Sequence, residues 1–244
     1  MRINAKGIYY KNLNELIYQA VDKGKKDIIL DNINGQRYIG AGLSGKVKIT
    51  INGVSGNDLA CFMDGPTIIV NSNGQDGIGN TMNAGKIVVH GDVGDIAGHS
   101  MRGGRIYIKG NAGYRVGIHM KSYKDLYPVI IIGGTAGDFL GEYMAGGLII
   151  VLGTGKREGL SIVGNYCGTG MHGGTMYIRN NIKDYQLGQE VKKTNLCEKD
   201  KKILKEYLTE YCDYFSLKVK NIVGKEFVKL VPSSSRPYGK LYAY

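Results

Sequence analysis

Three aspartates, Asp76, Asp95 and Asp138, occupy equivalent places in Gly-rich stretches of this 244-residue chain. If those stretches stack, the carboxylates of Asp76 and Asp95 come close enough to share a proton or hold a hard cation. The same place holds Asn57, Tyr114 and Asn165 elsewhere in the chain. Asn and Asp tolerate left-handed backbone and hydrogen-bond their own main chain in turns. The mixed occupancy therefore favours a turn column over a proton-sharing or Ca²⁺ site. Loss of a tight Ca²⁺ site in Asp95→Asn would reverse that preference.

The other residues with chemical potential are scattered. His99 lies two residues before a methionine, His119 one before and His172 one after, while His90 ends an apolar run. Different offsets predict that these histidines do not converge on a metal. Cys61, Cys167, Cys197 and Cys212 show neither CxxC nor zinc-ligand spacing. Cys167 falls in an apolar column and reads as core. No base can be placed beside a Ser or Cys nucleophile. GxGxxG occurs twice, as "GAGLSG" (40–45) and "GTGMHG" (168–173), but "KVKITI" and "TMYIRN" follow, and both read as strands. A dinucleotide site needs a helix there to meet the pyrophosphate, so that reading is rejected. No Walker A sequence is present. The sequence thus assigns no catalytic, cofactor-binding or metal-ligating residue.

The elements that carry these residues follow a fixed schedule. Met63, Met82, Met101 and Met120 are 19 residues apart, and Met144 and Met171 continue the series after longer intervals. Polar segments at 121–128 and 155–161 account for the extra length as loop insertions. Four residues before each Met stand Leu59, Ile78, Ala97, Val116, Leu140 and Cys167, an inward-facing column. Three before stand Ala60, Gly79, Gly98, Gly117, Gly141 and Gly168, a corner needing positive φ or close backbone approach. After a second Gly corner, Ile87/Val89, Ile106/Ile108, Ile130/Ile132, Ile149/Val151 and Met176/Ile178 alternate onto one face. Units this short bury an apolar face only by stacking. The expected fold is all-β: a single-stranded, right-handed parallel β-helix of about seven coils with about 19 residues each. A weaker first copy spans 40–53, with Leu43 near the Met position. The unbranched methionines suit a narrow interior.

The flanks predict covers for the open solenoid ends. Asn12 and Glu15 form a capping-box pattern, Leu13, Leu16, Ile17, Ala20 and Val21 share a helical face, and Gly24 ends the helix. Asn195 and Glu198 repeat the box before a face of Ile203, Leu204, Tyr207, Leu208, Tyr211 and Phe215, expected on the solenoid flank or end. The last segment begins strand-like and finishes as a Tyr/Pro tail. The organisation is therefore an N-terminal cap at 1–35, the β-helix at 36–182, and a C-terminal helix and tail at 183–244.

Composition agrees with this layout. Gly is 38 of 244 residues, in excess of ordinary usage, without a collagen period or low complexity. The net charge of +11 is spread along the chain with no Lys/Arg block interleaved with aromatics, which argues against nucleic acid. No apolar run is long enough to cross a bilayer, and no signal-peptide core follows Met1, so a cytoplasmic protein with reduced thiols is expected.

"VSGNDLACFMDG", "GNTMNAGKIVVHGD", "GHSMRGGRIYIKGN" and "GEYMAGGLIIVLG" resemble the repeats of the GXGXG domain, the C-terminal β-helix of the glutamate synthase large subunit. They are also similar to the corresponding β-helix chain of formylmethanofuran dehydrogenase. The resemblance covers about residues 36–182, and the flanks look like the stand-alone form found where glutamate synthase is split into separate chains. It implies a non-catalytic scaffold that carries no cofactor itself and holds a glutaminase-type amidotransferase chain and an FMN and Fe–S synthase chain in register. No nucleic acid or membrane partner is implied, and a homo-oligomer is compatible with the isolated chain. The formylmethanofuran dehydrogenase role, and an independent β-helix enzyme or sugar-binding protein using its acidic face, are the alternatives. A left-handed acyltransferase helix is disfavoured because its hexapeptide period is absent.

Overall fold

A computed structural model describes residues 1–156, 159–223 and 226–234. The "RPYGKLYAY" tail and residues 157–158 of the second insertion lie outside the described residues. The chain opens with β1 (Arg2–Asn4) and helix α1 (Tyr10–Asp22), then runs through β2 (Asp27–Asn34), β3 (Lys48–Val54), β4 (Asp64–Val70), β5 (Ala84–Val89), β6 (Arg105–Ile108), β7 (Val129–Ile132), β8 (Ala145–Val151) and β9 (Gly173–Arg179). A 3-10 turn (Asp184–Gln186), β10 (Val191–Thr194), α2 (Glu198–Phe215), the single-turn α3 (Lys220–Val223) and β11 (Phe227–Pro232) follow.

All the strands form one sheet, in the order β1-β2-β3-β4-β5-β6-β7-β8-β9-β11-β10. Strands β1 to β9 pair in parallel, each with its neighbour in sequence, as a solenoid requires. Residue Ile87 pairs with Ile106, which pairs with Ile130, then Ile149, then Met176. A second ladder of parallel bridges climbs the opposite side through six rungs, Ser55, Gly74, Val93, Ala112, Ala136 and Val163. Both GxGxxG stretches run into strands, β3 and β9, rather than helices.

The interior is apolar. Every repeat methionine, from Met63 to Met171, is fully buried, and so are Leu59, Ile78, Ala97, Val116, Leu140 and Cys167. Burying a side chain of this size contributes about 1.5–3 kcal/mol before entropy is counted. Leu13, Ile17 and Ala20 of α1 join the same cluster, with Asn14 Nδ2 donating to the Arg37 carbonyl (2.9 Å) and the Tyr18 hydroxyl to that of Ala41 (2.8 Å).

The outer face of the sheet is also covered. Helix α2 lies against Val88, Tyr107, Ile131, Ile150 and Tyr177 and forms a second apolar cluster through Leu204, Leu208, Tyr211, Cys212 and Phe215. Glu210 anchors it with Lys86 (2.5 Å), Arg105 and the Tyr107 hydroxyl (2.9 Å). Asp200 accepts from Tyr177 (2.6 Å) and from the Cys197 amide (2.8 Å), and pairs with Lys229 of β11 (2.8 Å). Burial pushes the Asp200 carboxyl up, but the Cys197 amide, Lys229 and Tyr177 outweigh it and hold the group well below the usual carboxylate range.

Three local expectations are corrected. Helix α1 begins at Tyr10, two residues before the expected Asn12 cap, with Tyr9 extended and no side-chain cap. The hydrophobic stripe selects the start, although Leu16 is exposed; Gly24 ends the helix with φ +76°. Helix α2 is capped at Cys197 with Asp200, not at Asn195 with Glu198, because Asp200 reaches the Cys197 amide. The turn geometry is displaced as well. The Asn/Asp column itself is not left-handed; the next residue is, as in Asp58, Gly77, Ile96, Arg115, Phe139 and Tyr166.

Candidate functional site

Each corner is built from two overlapping turns. In one coil, the Asn80 amide donates to the Gly77 carbonyl (3.1 Å) and the Met82 amide to that of Gly79 (3.1 Å). Left-handed residues alternate with ordinary ones, at five, three and one positions before Met. The β-branched Ile96 at φ 53° is costly, on the order of 1 kcal/mol. It is held because its amide donates to the Tyr114 carbonyl of the next coil (2.8 Å).

The aspartate column serves this corner. Asp76 Oδ1 accepts from the Asp95 amide (2.9 Å), Asp95 Oδ1 from the Tyr114 amide (2.8 Å), and Asp138 Oδ1 from the Asn165 amide (2.7 Å). These bonds reach the following coil rather than the residue's own turn. A parallel ladder runs from Asn73 to Asp92 to Asn111 to Thr135. Each carboxylate is a clamp between coils, and Asn73 and Asn111 show that an amide oxygen makes the same clamp in the parallel ladder.

The histidines behave differently from expectation. His99 and His119 have ring centroids 6.1 Å apart, His119 stacks on Tyr143 at 5.3 Å, and His119 and His172 line one cleft. Linear offsets of two before, one before and one after Met suggested separate faces. The tight corner folds those offsets together. His99 Nδ1 meets Asn80 Oδ1 (3.2 Å), which also accepts from Thr81 (2.9 Å), so Nδ1 carries the proton. The Ser100 hydroxyl then points at His99 Nε2 (3.4 Å), a long contact. A base therefore does stand beside one serine, contrary to the sequence reading. Burial, then the neighbouring His119, lowers the His99 pKa, so it is neutral near pH 7.

Ser100, Arg102, His119, Lys121, Tyr143, Ala145 and His172 line a surface cleft of about 380 Å³. Two columns make it. Ser100, His119 and Tyr143 stand one before Met, all left-handed. Arg102, Lys121, Ala145 and His172 stand one after, each amide bonded to the methionine carbonyl of the preceding coil at 2.8–3.0 Å. No carboxylate lines the cleft. Sequence reasoning missed Arg102, Lys121 and Tyr143; reading charge down the column after Met, rather than histidine alone, would have found the cations.

Aromatic side chains also stand at the coil corners. Phe139 and Tyr166 stack at 4.9 Å, and the Arg115 guanidinium lies over Phe139 (4.8 Å) while pairing with Glu142 (2.9 Å). Phe62, Tyr114 and Tyr166 are each more than half exposed. A larger cleft of about 1050 Å³ opens between β10, β11 and the start of α2, lined by Lys193, Thr194, Leu204 and Phe227 among others. Among the described residues, no helix is long and apolar enough to cross a membrane.

Comparison with known proteins fits this architecture. The chain is similar to the uncharacterized protein MJ1350 of Methanocaldococcus jannaschii, with 46% identity over 248 residues, covering 98% of this chain and 95% of that one. Residues 23–234 match the GXGXG motif family, a span that begins just after α1 and runs through the stacked coils to β11. The chain belongs to the GXGXG motif family.

Proposed function

We propose that this protein is a scaffold subunit of a glutamate synthase-like assembly. A glutaminase-type amidotransferase chain and a synthase chain carrying FMN and Fe–S centres would be its partners. The observation that carries this reading is the extent of the family match, residues 23–234: almost the whole chain is the repeat and its flanks. The use of side chains supports it. Carboxylates that would do chemistry on an acidic face are instead bonded to backbone amides of the next coil. Exposed Tyr166 stacked on Phe139, with the Arg115 guanidinium over Phe139, has the aromatic and arginine character of partner-binding surfaces.

The test is affinity purification of the tagged protein from its native cell at low salt, with mass spectrometry of the co-eluting chains. A glutaminase-like chain together with a flavin and Fe–S synthase chain is the expected result. Elution alone overturns the scaffold reading. Molybdenum or tungsten enzyme subunits would move the protein to a formylmethanofuran dehydrogenase-type complex.

A further inference from the structure

We propose that the cleft between the columns flanking Met101, Met120 and Met144 binds the phosphate group of a small phosphorylated ligand. The proposal is independent of the scaffold reading. Arg102 and Lys121 sit on adjacent coils, so their stems start about 4.8 Å apart, the spacing of paired strands. Neither makes an ion pair among the described residues. The rest of the lining is Ser100, His119, Tyr143, Ala145 and His172. The Ser100 hydroxyl is turned toward His99 Nε2 (3.4 Å) and His172 Nδ1 toward the Gly170 carbonyl (3.1 Å), so Arg102 and Lys121 are the groups that carry the binding, and no lining carboxylate competes with an anion.

Charge distinguishes phosphate from carboxylate. A phosphate monoester carries about −1.5 to −2 at pH 7 and offers three acceptor oxygens. Two fixed cations match that charge, whereas a carboxylate needs one cation. The planar Arg102 fork suits two phosphate oxygens, and Lys121 supplies a point charge. Length distinguishes a small ligand from a polymer. From Arg102 to His172 the column spans three coil steps, about 14 Å. On the preceding coils the same column holds Asn83 and then Asp64, so the positive strip does not continue. The backbone bonds to the methionine carbonyls fix the positions from which the Arg102 and Lys121 stems start.

The test uses the full-length protein and pyrophosphate as probe, by titration calorimetry at low ionic strength. Saturable one-to-one binding is expected, weakened at least tenfold in Arg102→Ala/Lys121→Ala. The same variant should keep the wild-type melting temperature in the absence of probe, since its truncated groups line an open cleft. Lys25→Ala/Lys26→Ala removes two exposed cations elsewhere and should bind as wild type. Absence of binding, or equal loss in both double variants, overturns the proposal. Tighter binding of hexaglutamate than pyrophosphate would reassign the cleft to an acidic protein segment. Affinity for single-stranded oligonucleotides that rises steadily with length would reassign it to a polyanion surface.

Discussion

The Tyr107 hydroxyl donates to Glu210 across 2.9 Å, although 103 residues separate them. This bond ties the middle of the sheet to the middle of α2. Lys86 and Arg105 meet the same carboxylate, so one residue of the helix grips two consecutive coils. The apolar contacts around it do more. Leu208→Ala should cost about 2–5 kcal/mol, because Leu208 is fully buried against the outer sheet face. Glu210→Gln should cost only about 1 kcal/mol, since its partners are partly exposed. Denaturant melts of the two variants check the ranking; an equal or greater loss in Glu210→Gln would contradict it.

The coil interior was legible in the sequence because its period is backbone-imposed. The methionines, the apolar column four residues earlier and the paired strand residues all point inward as read. The outer cover was legible in part. The unbroken runs "VIII" and "LIIVL" are what strands buried on both faces look like, since Ile131 and Ile150 lie under α2. The corner was legible only in its glycine column, three residues before each Met, which is left-handed from Ala60 to Gly168 as expected. Ile96, Ser100, His119, Phe139 and Tyr166 are left-handed without being glycine, so residue type did not announce the geometry. Convergence of the histidines depended on that geometry and was missed with it.

Gly98 has φ +71°, and a Cβ there would come within 2.4 Å of Ile130 Cδ1 inside the coil. Gly42, also left-handed at φ +62°, would place its Cβ in open space. Gly42→Ala should cost about 1 kcal/mol from backbone strain alone, and Gly98→Ala about 2–4 kcal/mol as the clash adds to it. Paired thermal melts resolve the two; equal losses would place the whole effect in the backbone.

Asp95→Asn should be nearly silent, because an amide oxygen can still accept from Tyr114. Asp95→Ala should cost about 1–2 kcal/mol by leaving that amide without its partner. Neither melt should respond to millimolar Ca²⁺. A Ca²⁺-dependent rise in the wild-type melting temperature that disappears in Asp95→Asn would restore the ion-site reading.

Asp200 makes stability depend on acid. Its carboxyl titrates below the ordinary value in the folded chain, so the unfolded chain binds the proton first as pH falls. The contribution is therefore complete above about pH 4, the unfolded value, and is lost progressively below it. Asp200→Asn should cost about 3 kcal/mol at pH 7 by leaving Lys229 without its partner, and should flatten the acid slope. Urea titrations between neutral pH and pH 3 measure both; an unchanged slope in the variant would remove Asp200 from the account.

Thiol reactivity should separate the four cysteines. Burial, with Asp58 adding, pushes Cys61 up to about 11, and burial alone pushes Cys167 up to about 12. Burial raises Cys212 as well, while Cys197 is exposed. A disulfide exchange reagent at pH 8 should titrate one thiol quickly and three more only after unfolding. Two or more fast thiols, or protection of Cys197, would contradict the placement.

The sheet also changes direction at each of its last two pairings. After nine parallel strands, β11 and β10 pair antiparallel beyond β9. A filament grown from this chain would need one molecule's final edge to accept the next molecule's first strand as another identical coil. That edge is β10, which exposes Lys192 and Lys193 and is joined to the stack through the reversed strand β11. Two reversals return β10 to the direction of the coil strands, so direction does not bar a further coil; the barrier is the pair of exposed lysines on this short edge strand, whose charge works against end-to-end growth from molecule to molecule.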